Sequence, residues 1–160
     1  WGGYHDSTAG GGELDGSGSP LPSALANPNT FDYRWAAGRR YRLQIAAAGD
    51  GRWRGSVTDQ ATDATVIIRD LYVDADHLTD PIVWSEVFAD CDAPPVEIRW
   101  SDFAAATVDG ELVRPSALSL TYQREADGGC SNTSTIVEDG WLVQRTNIER
   151  IHPHGATLPW

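Results

Sequence analysis

Glu86 stands in the run Ile82-Val-Trp-Ser-Glu-Val-Phe-Ala-Asp-Cys91, with Trp84 two residues before it and Phe88 two residues after. Alternation along an extended chain puts Ile82, Trp84, Glu86 and Phe88 on one face, and this apolar company marks the face as inward. A carboxylate there needs a partner or is held protonated. Two roles follow: a structural mate for an arginine or for backbone amides, or a ligand contact or general acid. Glycoside hydrolysis would require a second carboxylate opposite it. Asp90, Glu97 and Asp102 are near in sequence, and no spacing selects among them. Sugar recognition asks for aromatic faces against the apolar side of a pyranose, with amides and carboxylates for its hydroxyls. Trp35, Trp53, Trp84, Trp100 and Trp141 supply the first; Glu86, Asp102, Asn132 and Asn147 supply the second. Tryptophan in a β protein is also ordinary core filling, so both readings stand. The candidate ligand-binding set is Glu86, Trp84, Trp100, Asp102, Asn132 and Asn147, with no catalytic residue assigned.

Other chemistries find less support. His152-Pro-His154 offers two imidazoles but no evident third ligand, and the aspartates between positions 70 and 80 lack the spacing of an EF-hand loop. No phosphate-binding loop, dinucleotide fingerprint or Ser/His/Asp motif occurs. No metal and no cofactor is expected. Asn132-Thr-Ser134 fits a glycosylation sequon, which matters only in a host that modifies it. Cys91 and Cys130 belong to no CxxC or Cys/His pattern. In an exported protein they would pair as a disulfide; two buried free thiols are the alternative.

The elements that must position these residues are short. A chain of 160 residues is long enough for one domain with a real core. Residues 1–30 hold Gly, Ser and Pro clusters with no hydrophobic period, and read as an arm or loop. Residues 31–150 carry strand patterns: Phe31-Asp-Tyr-Arg-Trp35, Tyr41-Arg-Leu-Gln-Ile45, Arg52-Trp-Arg-Gly-Ser-Val57 and Thr65-Val-Ile-Ile68. Residues 69–81 read as an acidic surface loop. The run at 82–91 and Val96-Glu-Ile-Arg-Trp100 follow as two strands, kept apart by Pro94-Pro95. Leu118-Ser-Leu-Thr-Tyr122 and Trp141-Leu-Val-Gln-Arg-Thr146 complete the set, and residues 151–160 read as an irregular tail. Gly49-Asp-Gly51, Asp109-Gly110 and Asp127-Gly-Gly129 mark turns. No sustained helical period is present. The expectation is an all-β fold, an antiparallel β-sandwich or jelly roll.

Composition narrows the partners. A formal net charge of -11 argues against a nucleic-acid surface or an anionic membrane face, and no apolar run approaches the length of a membrane span. Low Lys, absent Met and abundant Asp, Gly, Ala and Trp suit an extracellular bacterial protein. With no Met and Trp1 at its start, the chain reads as a processed product or part of a longer one.

Several stretches resemble the C-terminal part of the DUF3472 family of secreted bacterial β-proteins. These are Tyr33-Arg-Trp35, Gly38-Arg-Arg-Tyr-Arg-Leu43, Trp53-Arg-Gly-Ser-Val-Thr-Asp59, Val83-Trp-Ser-Glu-Val-Phe88, Asp127-Gly-Gly-Cys-Ser-Asn132 and Gln144-Arg-Thr-Asn147. They span most of residues 31–150, although each motif alone is unspecific. The resemblance implies a secreted, sandwich-like domain of the kind met beside carbohydrate-active or carbohydrate-binding modules, and it carries over no catalytic residue. Such domains have further strands upstream, so the N-terminal strands of this one are expected on another chain or to be missing. Three functions follow from these readings. The first is binding of carbohydrate or a cell-surface polymer, and the second is a structural or interaction subunit completed by a companion chain or by self-assembly. The third is glycan hydrolysis.

Overall fold

The computed structural model describes residues 33–72 and 76–160. The expected arm at residues 1–30 lies outside the described residues. Among the described residues every sheet is antiparallel, and the one helical element is a single 3-10 turn, Glu125–Asp127. The fold is all-β. The chain divides into two compact units between Thr79 and Asp80, inside the stretch 31–150.

The first unit is a meander of β1 (Tyr41–Ala47), β2 (Arg52–Asp59) and β3 (Ala64–Tyr72), in that order. Gly49, Asp50 and Gly51 all take positive φ, so the β1–β2 turn is built where the sequence marks it. Register puts Tyr41, Leu43 and Ile45 on one face with Asp59, Val57 and Gly55. That face also takes Leu71 and Arg69 from β3, both buried. The opposite face is polar: Arg54 grips Asp70 through two hydrogen bonds of 2.8 and 2.9 Å, and the Thr58 and Thr65 hydroxyls meet at 2.8 Å.

Asp59 organises the next turn. Its Oδ1 accepts the Ala61 amide at 2.9 Å while its carboxylate pairs with Arg39. A bulge beside Gly55 and Ser56 leaves Ile68 without a cross-strand mate. The bulge corrects the expected end of the strand at Ile68, because residues 69–72 continue it, and residues 76–81 lie outside the sheet. The expected strand at 31–35 is also corrected. Within its described part, Tyr33 and Trp35 enter no ladder and stack edge-on with Tyr41, at centroid separations of 4.8 to 5.6 Å.

In the second unit β4 (Glu97–Trp100), β9 (Trp141–Arg145) and β8 (Ser134–Glu138) form one sheet with β9 in the middle. Asp139 and Gly140, with φ of 51° and 75°, close the β8–β9 hairpin. A small hairpin joins β5 (Ala105–Ala106) to β6 (Leu112–Val113), and β7 (Ala117–Ser119) pairs with β10 (Thr157–Pro159). The tail expected to be irregular therefore supplies a strand. Its Leu158 completes the buried cluster of Leu120, Leu142 and Leu158, against which Trp100, Phe103, Tyr122 and Trp160 pack.

Cross-strand charge fixes the register of β4 on β9. Glu97 lies opposite Arg145 and accepts its Nε–H at 2.6 Å; Arg99 Nε donates to the other oxygen at 2.6 Å. Arg145 continues to Glu138 at 3.1 Å. The bonds from Arg145 and then Arg99 hold the Glu97 carboxyl below its ordinary value of 4.5. A carboxyl depressed in the folded chain contributes stability that is complete above its ordinary value and fades as pH falls through the folded value. Replacing Glu97→Gln should flatten the acid side of the stability profile and leave its neutral side nearly parallel. Denaturant midpoints across about pH 3 to 6 measure this; an unchanged acid limb would show that the ladder carries no pH-dependent stability.

Candidate functional site

Residues 82–88 join no sheet. Pro81 opens the segment without an N–H to offer a ladder, and Asp80 before it is left-handed, with φ of 48°. The Ala89 amide turns back to the Val87 carbonyl at 3.1 Å and ends the run. One side chain pins it: Ser85 Oγ donates to Gln144 Oε1 at 2.5 Å, and the Trp100 indole N–H donates to the same oxygen at 2.8 Å. A carbonyl oxygen has two lone pairs, so both bonds are met.

That pin reverses the expected sense of the alternation. Val83 and Ser85 are the half-buried positions, while Ile82 (70% exposed), Trp84 (59%) and Phe88 (67%) face outward, and Glu86 is exposed with them. The inward-facing strand expected here is thus an exposed, unpaired one. The physical reason is plain: the serine has a polar mate inside, whereas an inward Glu86 would have to shed its water.

Beside this row lies an open groove of about 590 Å3, lined by Glu86, Val87, Phe88, Ala89, Asp90, Gln123 and Gly128. Its second wall is a tight loop. The amides of Asp127, Gly128 and Gly129 return to Arg124 and Glu125 carbonyls at 2.9 to 3.0 Å, and Gln123 Nε2 donates to the Asp127 carbonyl at 2.5 Å. A Cβ at Gly129 would fall 2.2 Å from the Gln123 carbonyl oxygen, so only glycine fits.

The two walls meet at the disulfide Cys91–Cys130, whose Cα atoms are 5.6 Å apart. Asn132 and Asn147 close over the same place. Asn132 Nδ2 donates to the Cys91 carbonyl at 2.6 Å and to Asn147 Oδ1 at 3.2 Å; Asn147 Nδ2 donates to the Ala93 carbonyl at 3.0 Å. Arg150 donates to the Cys130 and Thr133 carbonyls at 2.7 and 3.0 Å and lies 4.1 Å over the Tyr122 ring.

Of the six expected ligand contacts, the structure therefore places Trp84 and Glu86 on the exposed row, and Glu86 in the groove. Asn132 and Asn147 are brought together, with their donors engaged by the turn. Trp100 packs on the leucine cluster and gives its N–H to Gln144. Asp102 sits apart, exposed and left-handed, accepting the Ser101 hydroxyl at 3.0 Å with Arg114 4.0 Å away. Of the carboxylates weighed as partners for Glu86, Asp90 shares its groove and Glu97 is held by two arginines. Phe88, Gln123 and Gly128 were not foreseen as lining; the Asp127-Gly-Gly129 turn was the available signal for the last two. His154 Nδ1 accepts the Tyr122 amide at 3.2 Å. Among the described residues no three His, Cys, Asp or Glu side chains gather as a metal site, and no helix is long and apolar enough to cross a membrane.

The disulfide closes a separation of 39 residues, which stabilises by about 4 kcal/mol through the unfolded chain. Replacing both Cys91→Ser and Cys130→Ser should lower unfolding free energy by about 3–4 kcal/mol, read by chemical denaturation. A loss below about 1 kcal/mol would show that the asparagine and arginine bonds hold the turn unaided. No protein-family model, curated protein or solved structure matches the chain.

Proposed function

We propose that this protein is a non-enzymatic, extracellular bacterial binding module for carbohydrate or a cell-surface polymer, and that residues 84–90 form its contact surface. The observation that carries the reading is a pair of exposed aromatic rings, Trp84 and Phe88, on either side of Glu86 in sequence, with Phe88 and Glu86 lining a groove that also holds Asp90 and Gln123. Rings of this kind cover the apolar face of a sugar, and the carboxylates and amide meet its hydroxyls. The disulfide supports an oxidising compartment. The resemblance to DUF3472 domains supports secretion and a sandwich-like architecture.

A glycan array followed by titration of tryptophan fluorescence tests it. The Trp84→Ala variant should bind the best array ligand roughly tenfold more weakly with unfolding unchanged. Equal affinity of the variant, or an array without hits, would remove this surface from the role.

A second reading rests on a separate observation. Residues 82–88 join no sheet while Ile82, Trp84 and Phe88 are exposed, as a segment awaiting a partner's strand would be. It makes the protein an interaction subunit. Size exclusion over a wide concentration range should then show a dimer or higher species that Trp84→Ala disperses; a monomer throughout excludes self-assembly.

A further inference from the structure

The groove holds two carboxylates and no cation. Among the described residues neither the Glu86 nor the Asp90 side chain enters an ion pair or hydrogen bond. Three carboxylates elsewhere in this unit do have arginine mates, Glu97 and Glu138 on Arg145 and Asp127 on Arg124; what sets Glu86 and Asp90 apart is that they share one groove. Arg124 and Arg150, the latter lying over the Tyr122 ring, are also committed. Arg124, next to Gln123, pairs with Asp127 at 2.9 Å, and Arg150 gives its donors to backbone carbonyls. All 12 basic residues of the chain are arginine, and none lines the groove.

Two free carboxylates in a concave surface make a local negative potential, and the chain's net charge of -11 adds to it. A ligand carrying carboxylate, sulfate or phosphate groups is repelled from such a place. A neutral sugar leaves both charges without a counter-charge. A protonated amine gains on both counts, through the carboxylates and through the exposed face of the Phe88 ring.

We propose that the groove selects a polymer of amino sugars whose amines are free and protonated. This selectivity rests on the carbohydrate-binding reading and assigns its substrate class. The remainder of the lining, Val87, Phe88, Ala89, Gln123 and Gly128, is neutral and brings no opposing charge.

The test compares three soluble hexamers on the intact protein, at about pH 6 and low salt: glucosamine, N-acetylglucosamine and galacturonate. The free-amine hexamer should bind about tenfold more tightly than its acetylated counterpart, with the uronate weakest. Added salt should shrink that advantage. The double variant Glu86→Gln, Asp90→Asn should abolish it, with an unchanged melting transition. Persistence of the advantage in that variant would place the attraction in the net charge and overturn the assignment. Equal binding of the amine and acetylated hexamers, or binding of a neutral or acidic glycan alone, overturns it and leaves carbohydrate binding standing. Failure of all three hexamers and of the array removes both.

Discussion

Three consecutive backbone carbonyls, those of Cys91, Asp92 and Ala93, lie outside every sheet, and the second unit depends on meeting them. No strand pairs them, and side chains reach them instead, which ties the turn to the sheet. Asn132 and Asn147 reach across from either side of the β8–β9 hairpin and donate to all three. On the other half of the disulfide Arg150 does the same for Cys130 and Thr133. The covalent link and the side-chain donors are two answers to one problem: how to hold a proline-interrupted turn against a sheet it cannot join.

From that clasp the groove follows. One wall runs into Cys91 and the other into Cys130, so their separation is set where they are joined. Gly129 sets the second wall from inside, because its missing side chain lets the loop close on the Gln123 carbonyl. The first wall is positioned mainly by Ser85 on Gln144. Rigid anchors thus surround an exposed row, an arrangement in which side chains are presented without being packed.

Much of the architecture was legible because turns and alternation are local. Gly49-Asp-Gly51, the strands at 41–45 and 52–57 and the last strand at 141 all appear where their residues put them. What failed was mostly non-local. Ile68 sits in a bulge, so the inward set changes phase: Val66 before it and Arg69 and Leu71 after it share a face. A strict period of two cannot follow that step, and the acidic stretch beyond it reads as loop. Strand β8 was hidden in a polar run, although its partner β9 follows after a two-residue turn; β10 was hidden in a proline-bearing tail and is a strand because the distant β7 is there. The candidate site divided along the same line. Asn132, Asn147 and Trp100 are polar or aromatic for structural reasons that only their partners reveal, whereas Trp84 and Glu86 stay exposed.

The Asn132 amide has a consequence for how the protein can be made. Asn132-Thr-Ser134 is a sequon, and glycan transfer replaces one hydrogen of the very nitrogen that bonds both the Cys91 carbonyl and Asn147. A glycosylated Asn132 cannot keep both bonds, and its Oδ1 is buried without a hydrogen-bond partner. Expression in a glycosylating host would therefore give modified chains whose turn is held by Asn147, Arg150 and the disulfide with at most one bond from Asn132.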